Sequence, residues 1–107
     1  MDRVATFVDG IGGAAVFEEI WPLAREVLAG SLVVSVAEIA AAIRLIVGRC
    51  RVVAEGAGAA PVAAALAYAG SAARSGALRD AKTIVCVVSG GNIDAATLAT
   101  ILRGDLP

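Results

Sequence analysis

The sequence predicts an α/β fold, and two observations carry that prediction. The first is the stretch Thr83-Ile84-Val85-Cys86-Val87-Val88-Ser89-Gly90-Gly91-Asn92. Its five consecutive apolar residues, mostly β-branched, read as a strand covered on both faces. The strand stops at a small hydroxyl and two glycines, which permit a sharp turn and let a ligand approach the backbone. The second is the segment after that turn. Asp94 caps the run Ala95-Ala96-Thr97-Leu98-Ala99-Thr100-Ile101-Leu102, which reads as an amphipathic helix with Leu98, Ile101 and Leu102 buried. Buried strand, glycine turn and helix make half of an α/β unit. Open α/β sheets take their ligands at the carboxyl ends of the strands, which is where Ser89 stands.

The remaining elements come in chain order. Val4-Ala5-Thr6-Phe7-Val8 reads as a short strand closed by a turn at Asp9-Gly10, with Ile11-Gly12-Gly13-Ala14 extending the loop. The stretch from Val16 to Leu28 is helical in pattern but divided by Pro22. Proline suits a first helical turn, so the regular helix is placed at Pro22 to Leu28, ended by Gly30. Ile20, Trp21, Leu23 and Val27 form its expected buried side. Leu32-Val33-Val34 is a further short strand. Ser35 and Glu38 then make a capping box that opens a helix over about residues 36–49. Ile39, Ala42, Ile43, Ile46 and Val47 recur on one stripe of it. Arg44, Arg49 and Arg51 gather near its end, where cations suit the helix dipole; they read as a solvated basic face or as a contact for an anion.

Val52-Val53-Ala54-Glu55 followed by Gly56-Ala57-Gly58-Ala59-Ala60-Pro61 invites comparison with the dinucleotide fingerprint. Pro61 occupies the place of the third glycine. The acid expected about 20 residues on, at the end of a second strand, is missing, because Asp80 precedes its strand. Residues 52–55 also read as a continuation of the preceding helix. Pro61 to Ala69 is an alanine-rich helix, and Gly70 to Ala81 a surface loop. Arg103-Gly104-Asp105 reads as a frayed end.

Composition narrows the class. A chain of 107 residues is one domain or part of one. Its 59% hydrophobic content, with only 4% aromatic, implies a core of small side chains and an apolar face left uncovered. Such a face suits a homo-oligomer interface or a missing half. A net charge of −1 argues against nucleic acid as a partner. No apolar run reaches the roughly 18 residues of a membrane span, and the start lacks a secretory signal, so the cytoplasm is expected. Cys50 and Cys86 read as small buried thiols. Histidine is absent, which removes every histidine-based triad and leaves no metal ligand set.

Taken together, Asp9-Gly10-Ile11, Trp21-Pro22-Leu23-Ala24-Arg25-Glu26-Val27, Val34-Ser35-Val36-Ala37-Glu38-Ile39, Glu55-Gly56-Ala57-Gly58-Ala59 and Val88-Ser89-Gly90-Gly91-Asn92-Ile93-Asp94 form a recognisable series. It resembles the C-terminal third of the threonine ammonia-lyase (threonine dehydratase), serine dehydratase and serine racemase family. These are pyridoxal-phosphate enzymes of the tryptophan synthase β type. The resemblance implies that the chain is part of an open three-layer α/β/α sheet, a single α/β segment of the large cofactor domain.

The resemblance also implies roles. Ser89 is similar to the residue that hydrogen-bonds the pyridine nitrogen of pyridoxal 5'-phosphate. A hydroxyl there leaves the nitrogen unprotonated, weakens the ring as an electron sink, and favours elimination or racemisation over transamination. Gly10 is similar to the glycine that packs on one face of the ring, and Glu55 to an acid beside it. Gly90 continues the turn at the cofactor. From the residues alone, Glu55 also reads as a solvated or cap-bonded carboxylate, and Ser89 as a turn hydroxyl. Two departures stand out: Gly56 replaces the usual proline, and Gly12-Gly13 replaces side chains that lie beside the substrate. The family's Schiff-base lysine, phosphate loop and metal ligands lie upstream of what is present. Lys82, the only lysine, reads as a surface residue. No catalytic or metal-binding residue is therefore assigned to this chain.

The implied partners are a missing N-terminal part or a complementary chain, and a small amino-acid substrate. The implied reaction is β-elimination of water from L-threonine or L-serine, with the isolated chain inactive. Racemisation of serine is the alternative chemistry. A non-catalytic assembly or regulatory module is the alternative of another class.

Overall fold

A computed structural model describes residues 6–69 and 81–107. Local sequence sets the helix ends. Trp21–Val27 (α1) starts with proline in its first turn. Val36–Leu45 (α2) opens on the expected capping box: the Ser35 hydroxyl accepts from the Glu38 N–H at 3.2 Å, and the Glu38 carboxylate accepts from the Ser35 N–H at 2.6 Å. A π-helical turn over Ile46–Cys50 continues it, so α2 and its extension cover the predicted span. Gly56–Ala69 (α3) follows, then Ala95–Arg103 (α4). Asp94 caps α4 by accepting from the Thr97 N–H at 2.9 Å.

The core lies where α2 packs on α3 and α4. It consists of isoleucine and alanine: Ile39, Ala40, Ala42, Ile43, Ile46, Ala54, Ala59, Ala63 and Ile101. Small side chains on the facing stripes let the helix axes approach closely, as the composition implied. Arg44 contributes to this packing. Its Nη1 donates to the Ile101 carbonyl at 3.2 Å, so it closes the C-terminal end of α4 instead of forming a solvated face or an anion contact.

Several expectations are corrected. Among the described residues no strand is paired into a sheet, so the predicted strands at 6–8, 32–34 and 83–88 are extended or irregular segments. The earlier part of the first predicted strand, and the loop placed at Gly70 to Ala81 up to residue 80, lie outside the described residues. Residues 84–88 are not covered on both faces: Val85 is 84% exposed and Val87 70%. A helix satisfies its own backbone groups, whereas a strand needs neighbours on either edge. Residues 83–88 have no paired strand beside them among the described residues, and only Cys86 and the turn at their end reach the helices.

α3 begins at Gly56, five residues before the expected Pro61, which sits inside the helix. Tight packing of the Gly-Ala-Gly turn outweighs its poor helix propensity. α1 has the expected position but no buried residue; Ile20, Trp21, Leu23 and Val27 are all exposed because nothing in the described chain covers that side. Cys50 is exposed and Cys86 half-buried, with its thiol donating to the Pro61 carbonyl at 3.4 Å. Cys50 ends the π turn, of which only Ile46 is buried. Leu102 is exposed while Ile101 is buried, since neighbouring helical positions face different sides. Residues 103–105 are not frayed. Gly104 is left-handed at φ 101°, its N–H returns to the Ile101 carbonyl at 3.0 Å, and the Asp105 N–H returns to that of Thr100 at 3.2 Å.

Candidate functional site

Glu55 is the hub of the site. It stands between the extended segment after α2 and the first turn of α3. Its carbonyl accepts the Ala59 N–H at 2.9 Å, the first bond of that helix. Its own N–H donates to the Gly90 carbonyl at 3.0 Å. Its side chain reaches outward, and Oε2 accepts the Asn92 N–H at 2.9 Å. The Ser-Gly-Gly-Asn turn is thus attached to the N-terminal end of α3 at two points, both through Glu55. A carboxylate suits that end of a helix, where N–H dipoles point outward.

Glycines make this approach possible. A Cβ on Gly90 would lie 2.7 Å from Glu55 Oε1, and one on Gly58 only 2.5 Å from the Gly90 carbonyl oxygen. Gly91 abuts the Val53 carbonyl oxygen at 2.6 Å in the same sense. Gly10 faces the same centre: its Cβ would meet Ala57 Cβ at 2.9 Å and Glu55 Oε1 at 3.3 Å. Gly56 is pressed against Phe7 and Val8. Gly10, Glu55 and Gly90, three of the four residues singled out in the sequence, therefore converge on one carboxylate. Ser89, the fourth, is the residue next to Gly90, and it is exposed at the tip of the extended segment.

Sequence reasoning missed the packing use of Gly58 and Gly91 and the role of the Asn92 N–H. The Gly-x-Gly spacing at 56–58 was the available signal, and its use is to let the backbone of residue 90 reach α3. Beside the turn lies a cleft of about 400 Å³ lined by Thr6, Phe7, Asp9, Asn92, Asp94 and Thr97. Hydrogen bonds from Thr97 hold the Asp94 carboxyl below its ordinary pKa. Lys82 is exposed, as expected of a surface residue.

The Ser89 hydroxyl is exposed at the end of the extended segment, where a hydroxyl can meet the ring nitrogen of pyridoxal phosphate. The Cβ sides of Gly10, Gly90 and Gly91 are filled by Ala57, Glu55 and the Val53 carbonyl, so these glycines serve the packing of the turn on α3.

Comparison with known proteins shows the family. The chain is 36% identical over 101 residues to the L-threonine ammonia-lyase of Geobacter sulfurreducens, an alignment covering 94% of this chain and 23% of that protein. The chain thus spans less than a quarter of the length of this relative. No solved structure matches. The family described as "Pyridoxal-phosphate dependent enzyme" matches residues 1–90. Its members share an α/β fold of the tryptophan synthase β type and use pyridoxal phosphate. On that match the chain belongs to the pyridoxal-phosphate dependent enzymes.

Proposed function

We propose that this chain supplies the pyridine-nitrogen side of the cofactor site in an ammonia-lyase acting on L-threonine or L-serine. The observation that carries the reading is the convergence of Gly10, Glu55 and Gly90 beside an exposed Ser89. When bound, pyridoxal phosphate supplies an electron-withdrawing ring that stabilises negative charge at the substrate α-carbon. Ser89 donates its hydroxyl proton toward the ring nitrogen and cannot protonate it outright. Gly10 and Gly90 let the Glu55 carboxylate seat against the turn that carries Ser89. The outcome is loss of water from the amino acid to an enamine, whose imine form takes up water to give 2-oxobutanoate or pyruvate and ammonia. The relative's name supports the lyase reading.

The lysine and phosphate loop come from a further part of the enzyme, in the same or a complementary chain. The exposed Ile84, Val85, Val87 and Val88 are the surface against which that part adds its strands. A cytoplasmic homo-oligomer suits this arrangement.

The test is co-expression with the region of a threonine ammonia-lyase that carries the lysine and the phosphate loop. The pair binds pyridoxal phosphate and releases 2-oxo acid, while the chain alone releases none. Ser89→Ala lowers turnover by about tenfold or more, the cost of one lost hydrogen bond to a ring atom that develops charge. Release of D-serine in place of pyruvate would assign a racemase. Absence of bound cofactor from a well-folded pair would leave an assembly module.

A further inference from the structure

We infer that Glu55 is a positioning residue: it fixes the turn that carries Ser89 and serves the cofactor only through that turn. The inference rests on the proposed contact between Ser89 and the ring nitrogen, and it adds a role for the acid. A carboxylate that faced the ring would keep its oxygens for the ring. Here Oε2 is taken by the Asn92 N–H at 2.9 Å, and Oε1 lies against the space where Gly90 would carry a side chain. The two bonds from Glu55 bracket the turn, one at the Gly90 carbonyl and one at the Asn92 N–H. Across the second of them the Ile93 N–H closes on the Gly91 carbonyl at 3.0 Å. Residues 90–93 are therefore held from one side by one residue and from within by their own backbone.

The anchor is itself fixed. The Glu55 carbonyl is part of the first turn of α3, and that turn is buried at Gly56, Gly58 and Ala59. Ser89 has no such tie to the core, since the residues before it are exposed as far back as Val87. Its position is inherited from Gly90, the next residue, and so from Glu55. A hydrogen bond to a ring nitrogen tolerates only a few tenths of an ångström of error in donor position. The turn must be rigid for Ser89 to act, and the carboxylate supplies the rigidity.

The experiment is amide hydrogen exchange on the isotope-labelled full chain, paired with cofactor affinity in the reconstituted enzyme. Asn92 is protected in the parent chain. Glu55→Ala accelerates its exchange by about tenfold or more, as expected for loss of a bond to a charged acceptor. Glu55→Gln keeps a carbonyl oxygen that can accept the same N–H, and it restores most of the protection and most of the cofactor affinity lost in Glu55→Ala. Unprotected Asn92 in the parent chain would overturn the inference. Equal damage by Glu55→Gln and Glu55→Ala would overturn it as well, because the charge and not the hydrogen bond would then matter. Ser89→Ala separates the two readings. If it leaves cofactor affinity intact while Asn92 protection still depends on residue 55, the cofactor reading fails and the clamp stands.

Discussion

Residues 39–46 and residues 84–88 are both dense in apolar side chains, yet they end in opposite environments. Ile43 is wholly buried, while Val85 is 84% exposed. The first stretch is helical, so its backbone groups are satisfied within the stretch and one covered face is enough for stability. α3 and α4 provide that cover. The second stretch is extended, and its backbone and both its faces need other segments. The same hydrophobicity is therefore a finished core in one place and an open edge in the other. What is self-sufficient in this chain is its helical half; the segment that carries Ser89 is joined to that half through Glu55 at its end and through the Cys86 thiol on the Pro61 carbonyl.

The largest expected effect tests this contrast directly. Ile43→Ala should lower the stability of the chain by about 3 kcal/mol in urea denaturation, the usual cost of a cavity in a closed core. Val85→Ala should change it by less than about 0.5 kcal/mol. Comparable losses would break the comparison, because residues 84–88 would then be covered in solution. Next comes the seam between the halves. Gly58→Ala places a methyl group 2.5 Å from the Gly90 oxygen, and the backbone there cannot yield cheaply. A loss of about 2 kcal/mol, with faster amide exchange at Glu55, is expected. Unchanged stability would mean that the turn is not seated on α3.

Smaller effects sharpen the picture of the helical half. Arg51 ends the π turn in the left-handed region at φ 58°, which a side chain disfavours. Arg51→Gly should raise stability by about 0.5 kcal/mol, the relief of strain less the added freedom of the unfolded chain. The capping carboxylates give a pH dependence. Hydrogen bonds from Ser35 hold Glu38, and those from Thr97 hold Asp94, below their ordinary values. Their stabilisation is complete above the ordinary carboxylate range and is lost as the pH falls through the lower folded values. Far-UV circular dichroism should show α2 and α4 weakening only at strongly acid pH, and Asp94→Asn should flatten the α4 part of that response. A loss of helix on raising the pH from neutral would contradict the assignment.

Much of the site was legible in the sequence, and the reason differs by residue. Ser89 and Gly90 stood out because a hydroxyl and glycines after a β-branched run are uncommon without a turn. Gly10 and Glu55 were reached through the resemblance, since neither residue type is distinctive by itself. Asn92 was not legible as a participant, because it acts through its backbone N–H, which every residue but proline has. Gly58 was seen only as part of a Gly-x-Gly spacing that does not make a dinucleotide fingerprint, and its use, to admit the Gly90 oxygen, was not foreseen.

By itself, the sequence determined the position and N-terminal caps of α2 and α4, the stripe that α2 buries, and the family to which the series of motifs is similar. These depend on residues three or four apart, where chain connectivity already brings the partners together. Only the tertiary structure decided that residues 84–88 lie open, that α3 starts at the glycines, and that one carboxylate ties the Ser89 turn to α3. Those outcomes join residues far apart in the chain, Glu55 and Asn92 being separated by 37 positions. Local propensity does not reach that far, and excluded volume with hydrogen-bond satisfaction makes the choice.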